Sequence, residues 1–195
     1  YNSLAHRTTW LRSDLCYETD GRVRCCQSDY VLVATGRAPN SSNMGLEKCG
    51  VCMTKGWINV NEFMQTNIPS VYAIGDVTGN PALAHAAYEA GVVAVEHMNG
   101  KMRPMDFTKI AKTVFVKPEL SAVGMTEEAA NAAGYDVCVG KFPLSANGKA
   151  LSMRAGEGFV KVVSEKKDHR ILGVHIAGAD AAELIATAAN WMEAE

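Results

Sequence analysis

The sequence predicts a chain of mixed class, α/β in its first half and α+β in its second. Three observations predict this. Two short apolar runs, at 29–36 and 71–74, each end at a glycine, as buried strands do where the sheet gives way to a turn. An Ala-rich helical pattern follows the second run, from about Ala82 to Met98. Beyond it, strand patterns come in series and one helix closes the chain, without β-α-β alternation, which marks a separate α+β domain.

In order along the chain, Asp20-Gly21 stands between two short strand-like pieces and signals a hairpin. Asp29-Tyr30-Val31-Leu32-Val33-Ala34-Thr35-Gly36 reads as a buried strand, and Pro39-Asn40-Ser41-Ser42-Asn43 is a loop by composition. Trp57-Ile58-Asn59-Val60 predicts a short strand, and Val71-Tyr72-Ala73-Ile74 a second buried one. The helix at 82–98 stops before Asn99-Gly100, and its small residues imply burial on more than one side. Strands are expected around 113–116 and 120–123, and Thr126 can cap a short helix with Glu127 and Glu128 in its first turn. The patterns at 136–142, 158–164 and 170–177 predict an antiparallel meander, and a last helix starts near Asp180.

A chain of 195 residues, 48% of them hydrophobic, suits one or two domains with a real core. The net charge of -2 offers nothing to nucleic acid, and no basic amphipathic helix is present to lie on a membrane. No apolar stretch approaches the ~20 residues of a spanning helix. The start, Tyr1-Asn2-Ser3-Leu4-Ala5-His6, lacks a leader pattern and an initiator Met, so the chain is expected to begin inside a longer protein. The six cysteines do not space as a secreted disulfide framework, and a reducing cytoplasm is the simpler setting. Cys49-Gly50-Val51-Cys52 has redox or zinc spacing, yet no second pair completes a metal site; two ordinary thiols on a surface loop is the plainer reading. No metal site is expected.

Three features can carry chemistry. Gly36 ends a strand where ligands of open α/β sheets bind, and would let backbone approach a cofactor; it can equally just end the strand. Gly75-Asp76 repeats that logic with a carboxylate that can accept hydrogen bonds from a sugar or polyol, though a turn Asp is the commoner fate of Gly-Asp. The helix beginning near Ala82 presents unpaired N–H groups and about half a positive charge at its N-terminus. His85, in its first turn, is more often a packing or capping residue than a catalyst. His6, His97, His169 and His175 form no constellation in the sequence.

Order and spacing make these features specific together. Val-Leu-Val-Ala-Thr-Gly-Arg-Ala-Pro-Asn at 31–40, Gly-Leu-Glu-Lys at 45–48, Val-Tyr-Ala-Ile-Gly-Asp-Val at 71–77 and Leu-Ala-His-Ala-Ala-Tyr-Glu-Ala-Gly at 83–91 resemble the pyridine nucleotide-disulfide oxidoreductases. The likeness continues through Val-Phe-Val-Lys-Pro-Glu-Leu at 114–120, Lys-Phe-Pro at 141–143, Gly-Phe-Val-Lys-Val-Val at 158–163, Ile-Leu-Gly-Val-His-Ile at 171–176 and Ala-Glu-Leu-Ile at 182–185.

The resemblance implies that residues 1–37 close a nucleotide-binding α/β domain, 38–104 form the returning half of an FAD-binding domain, and 105–195 form most of an α+β dimerisation domain with an antiparallel sheet. It implies FAD and NAD as cofactors and a homodimer built through 105–195. Gly36 matches the glycine bordering the nicotinamide nucleotide. Asp76, after Gly75, matches the acid that binds the ribityl hydroxyls. Ala82, Leu83, Ala84 and His85 match the segment whose backbone meets the flavin ring. Leu83-Ala84-His85 points to the dihydrolipoamide dehydrogenase branch, whose members oxidise a dihydrolipoyl dithiol through a disulfide and FAD, with a lipoyl domain of a 2-oxo acid dehydrogenase complex as partner. Val116 and Lys117 depart from the usual Thr-His, which keeps mercuric reductase, glutathione reductase and transhydrogenase relatives open. The chain holds no G-x-G-x-x-G, no C-x-x-x-x-C and no His-Pro-Thr segment. No catalytic residue is therefore assigned within it. By itself it is expected to bind FAD weakly or not at all, to lack dithiol activity, or to act only as a dimerisation module.

Overall fold

The computed structural model describes the backbone of residues 7–9 and 12–194 and the side chains of residues 15–194. The opening segment 1–6, with its missing leader pattern and His6, lies outside the described residues. Contacts divide the chain into two compact units, Tyr1–Ala38 and Pro39–Glu195.

In the first unit, β1 (Arg7–Thr9), β2 (Arg12–Thr19) and β3 (Arg22–Ser28) form an antiparallel sheet in that order. Asp20 and Gly21 both adopt positive φ, 51° and 69°, the conformation a two-residue hairpin turn needs, so the sequence signal holds. The turn sets the register, and Cys16 comes directly opposite Cys25, to which it is disulfide-bonded. The sequence reading named no such bridge; it set aside only a secreted disulfide framework. The buried strand expected at 29–36 is corrected: this run pairs with no strand among the described residues, and Tyr30 and Leu32 are 92% and 90% exposed. An apolar run suits a sheet interior, but burial needs neighbouring strands and a layer on each face, and the described part of this unit supplies neither.

The second unit opens with a small hairpin, β4 (Met53–Thr54) and β5 (Trp57–Ile58), turned at Lys55 and Gly56. Only the first half of the strand expected at 57–60 pairs. Val51, Ile58 and Ala73 form its core. Asn67 ties the adjacent loop, accepting from Cys52 N and donating to Gly50 O, both at 2.8 Å. Cys49 and Cys52 on that loop are free and exposed, and no group of metal-ligating side chains occurs among the described residues.

Helix α1 (Ala84–Met98) buries Ala86, Ala90, Val93 and Ala94. Those positions recur at helical spacing and define one face, packed with Met64. The opposite positions Tyr88, Val92 and Val95 are exposed, so burial on more than one side is not what the described residues provide. Residues 99–104 return along the helix as a strap. Arg103 fastens it, donating to Glu89 (2.6 Å) and Glu96 (2.7 Å), while Lys101 reaches Glu96 at 3.1 Å.

A five-stranded sheet follows. Its strands are β6 (Lys112–Val114), β7 (Glu119–Gly124), β8 (Val137–Pro143), β9 (Phe159–Glu165) and β10 (Ile171–Gly178), in the order β6-β7-β10-β9-β8. All pairs are antiparallel, and β8, β9 and β10 make the expected meander. Helix α2 (Glu127–Ala132) is capped by Thr126, whose Oγ accepts from Ala129 N at 3.1 Å. A short helix α3 (Gly148–Ser152), absent from the sequence-based expectation, is capped in the same way by Asn147. Helix α4 (Ala181–Ala194) covers one face of the sheet, packing Ala181, Ile185 and Ala188 on Val123, Val174 and Ile176. A register shift between Ile171 and Gly173 sends Leu172 to the other face, where it packs with Ala130 and Val163 beneath α2. At that crossing only glycine fits: a Cβ on Gly173 would fall 2.1 Å from Met125 O.

Candidate functional site

The site expected from the sequence lies where residues 71–78 meet the start of α1. Residues 71–74 are extended but make only one isolated bridge, Gln65 with Tyr72, in place of a full strand. Ala73 is buried and donates to Met64 O at 3.0 Å. Ile74 is still extended, with φ -134° and ψ 163°, and the chain then enters a 3₁₀ turn over Gly75–Thr78. Gly75 has φ 73°, and a Cβ there would stand 3.4 Å from Ala87 Cβ on α1. That is ordinary contact, so it is the left-handed φ that calls for glycine where the turn lies against the helix. Thr78 Oγ1 donates to Gly75 O (2.8 Å) and Asn80 donates to Thr78 Oγ1 (3.1 Å), which holds the turn closed. Gly79, at φ 73°, passes beneath Trp57. Asp76 is exposed on this turn.

Leu83 is the residue before α1, extended at φ -130° and ψ 132°. No side chain caps the helix, and no acidic residue stands in its first turn. By contrast α2 and α3 both carry side-chain caps. An uncapped N-terminus keeps N–H donors and partial positive charge available, worth ~0.3–1 kcal/mol toward a nearby anion at an exposed site. Ala82, Ala84 and His85 are exposed, and Leu83 is half-buried. The His85 ring Nε2 lies 2.7 Å from Ala111 O. A carbonyl only accepts, so this nitrogen carries the proton, and the ring ties the first turn of α1 to the entrance of β6. The packing role weighed for His85 is thus visible, while its backbone stays at the open helix tip.

The structure brings Gly75, Asp76, Ala82, Leu83, Ala84 and His85 into one region of the second unit. Gly36 belongs to the first unit, where it is exposed with φ 123° and nothing within 4 Å of its Cβ direction. Chemically, Asp76 can accept from hydroxyls, while the helix tip can face a group that becomes negative. That donor set fits a ligand with a polyol chain beside an electron-accepting ring, as FAD has.

Two features escaped the sequence. His97 joins a cluster in which its Nδ1 meets Tyr72 Oη at 2.7 Å and its ring stacks on Phe63 with centroids 4.6 Å apart. No sequence signal links positions so far apart. The Cys16–Cys25 bridge did have a signal, because both cysteines stand four residues from the turn residues Asp20 and Gly21, and an Asp-Gly turn makes such positions partners.

Comparison with known proteins divides the chain elsewhere, between residues 91 and 110. Residues 11–91 match the family model of the pyridine nucleotide-disulphide oxidoreductases, and residues 110–195 match the dimerisation domain of that family. A dihydrolipoyl dehydrogenase of Bacillus subtilis is 41% identical over 170 residues, covering 87% of this chain and 36% of the relative. One from Thermus scotoductus is 48% identical over 166 residues, 85% of this chain and 36% of the relative. A leghemoglobin reductase of Glycine max is 45% identical over 170 residues, 87% and 32%. Among solved structures, LpdA of Mycobacterium tuberculosis superposes with a TM-score of 0.88 at 28% identity, over 98% of this chain and 41% of its own. The chain therefore spans about a third of the length of the relatives it matches.

Proposed function

The chain belongs to the pyridine nucleotide-disulphide oxidoreductase family, and from that premise we propose that it is part of a flavin-dependent enzyme of the dihydrolipoyl dehydrogenase kind. One observation carries the reading: the Gly75–Thr78 turn, bearing Asp76, lies against a helix whose N-terminus no side chain caps. Bound FAD would supply the two-electron exchange between a dithiol and NAD. The chain's own residues bind and orient. Asp76 would accept hydrogen bonds from the ribityl hydroxyls. The backbone at Ala82, Leu83, Ala84 and His85 would hold the flavin ring, whose gain of charge the uncapped end of α1 would favour. Gly36, with no side chain, admits the nicotinamide nucleotide. The relatives' names support a dihydrolipoyl dithiol as substrate, which makes a lipoyl domain of a 2-oxo acid dehydrogenase complex the partner.

Flavin fluorescence during titration of the full-length enzyme with FAD tests this, since this chain by itself is expected to bind FAD weakly or not at all. Asp76→Ala is expected to weaken binding about tenfold or more, since a hydrogen bond to a charged group is worth ~1.5–3 kcal/mol. Equal binding by parent and variant overturns the assignment. No helix among the described residues is long and apolar enough to cross a membrane. Four free, exposed cysteines suit a reducing compartment, so we place the enzyme in the cytoplasm.

A second reading rests on the sheet. Helix α4 covers one face, whereas Val114 and Leu120 on the other are 55% and 45% exposed. Their apolar surface supports homodimerisation through 105–195.

A further inference from the structure

We propose that Tyr72 and His97 are a positioning pair, whose hydrogen bond sets where residues 71–78 lie along α1 and so where Asp76 is held relative to the helix tip. The proposal rests on the flavin reading above and deepens it. His97 stands in the last turn of α1, at the far end of the helix from that tip.

Residues 72–75 run antiparallel along the helix, and three contacts trace their course. Tyr72 Oη meets His97 Nδ1 at 2.7 Å. Further on, Ile74 Cδ1 lies 3.4 Å from where a Cβ on Gly91 would stand. Last, a Cβ on Gly75 would stand 3.4 Å from Ala87 Cβ. The step from His97 to Ala87 covers about 15 Å of helix axis at ~1.5 Å per residue. The step from Tyr72 to Gly75 covers only ~10 Å of extended chain, at ~3.3 Å per residue. The long tyrosine side chain makes up the difference. Asp76 follows Gly75 directly, so a slip at Tyr72 is carried to its carboxylate.

Of the three contacts, the Ile74 and Gly75 ones are apolar and have no preferred direction along the helix. The hydrogen bond is directional, and its geometry is built in from both sides. Asn61 Oδ1 accepts from Phe63 N (2.9 Å) and Gln65 N (3.0 Å), folding a turn that carries both neighbours of the pair. Phe63 stacks on the His97 ring, with 4.6 Å between centroids and 11° between planes, which fixes the plane of the imidazole. Gln65 Nε2 donates to Pro69 O (2.9 Å) and to Tyr72 Oη (3.2 Å). An amide nitrogen only donates, so Tyr72 accepts from Gln65 and directs its own proton at His97 Nδ1. Phe63, Gln65, Tyr72 and His97 are all half-buried, which limits competition from water.

The test titrates the FAD-free full-length enzyme with FAD. Tyr72→Phe removes the hydroxyl and keeps the ring that packs beside Met64 and Val93. It is expected to raise the FAD dissociation constant about fivefold, as loss of one neutral hydrogen bond does. In an Asp76→Ala background the same change should alter affinity less than about twofold, because the pair acts through that carboxylate. His97→Leu should behave as Tyr72→Phe does. His97→Asn, whose Oδ1 can stand where the ring Nδ1 stood, should restore most of the affinity. Amide hydrogen exchange without flavin gives a second readout: residues 75–79 should exchange about fivefold faster in Tyr72→Phe, with 159–178 unchanged.

Three outcomes would overturn the proposal: equal FAD affinity in Tyr72→Phe and parent, equal weakening by Tyr72→Phe with and without Asp76, or unchanged exchange at 75–79. The second of these is the result a merely structural role would give. Equal FAD affinity in Asp76→Ala and parent is a different result. It overturns the flavin reading at Asp76, and with it the premise of the pair, whatever Tyr72→Phe does.

Discussion

Single residues decide the close approaches. Gly173 lies where β10 passes the loop after β7, and the space a Cβ would need holds Met125 O at 2.1 Å. Met125 N donates to Leu172 O (2.8 Å), and the His175 ring meets Met125 O (3.0 Å). All three contacts require the two strands at their present spacing. Gly173→Ala is expected to destabilise the second unit by ~1–3 kcal/mol, as overpacking of a tight contact does. The midpoint of urea unfolding checks this. Gly75 is a milder case, since its Cβ would make ordinary contact with Ala87 and the obstacle is its φ of 73°.

Elements are held to one another by charge as well as by packing. The 99–104 strap is fastened to α1 by Arg103 and Lys101. Hydrogen bonds from Arg103, then from Lys101, hold the Glu96 carboxyl below its usual range. A depressed carboxyl contributes stability that is present above its unfolded-state pKa and is lost as pH falls through the folded one. The Arg103→Gln variant should therefore melt below the parent at neutral pH. The gap should narrow as pH drops beneath the usual carboxylate range and Glu96 is protonated, while the Arg103–Glu89 bond is a separate contribution. The effect is small and salt-sensitive, because these side chains are largely in water. Thermal melts across pH at low and high salt check it.

At the scale of the whole molecule, the described chain exposes apolar surface that a self-sufficient monomer rarely shows. Val114, Phe115, Leu120 and Phe142 are exposed in and beside the sheet, with Phe115 at 81%. An apolar face bordering a covered one is what an oligomer interface requires. Leu120→Glu leaves the buried α4 face untouched, and is expected to shift the protein from dimer to monomer in sedimentation velocity with little change in secondary structure. A parent already monomeric at high concentration would remove the second reading above.

Local grammar was legible in the sequence: the Asp20-Gly21 hairpin, the Thr126 cap, the β8–β10 meander, and the helix that follows Gly75-Asp76. Each depends on a few adjacent residues or on a short period, and such preferences act within one element. The order and spacing of these pieces were enough to bring out the family. Tertiary structure alone decided which apolar residues are covered. Val31-Leu32-Val33 read as a buried strand and the small residues of α1 implied burial on more than one side, yet Leu32, Val33, Tyr88, Val92 and Val95 are exposed. Hydrophobicity states a tendency toward burial, whereas burial itself needs a partner surface supplied from elsewhere. The same holds for the β6-β7-β10-β9-β8 order, for the flip of Leu172 at its bulge, and for the meeting of Phe63, Tyr72 and His97. These join residues far apart in the chain, and only packing in three dimensions selects such pairings.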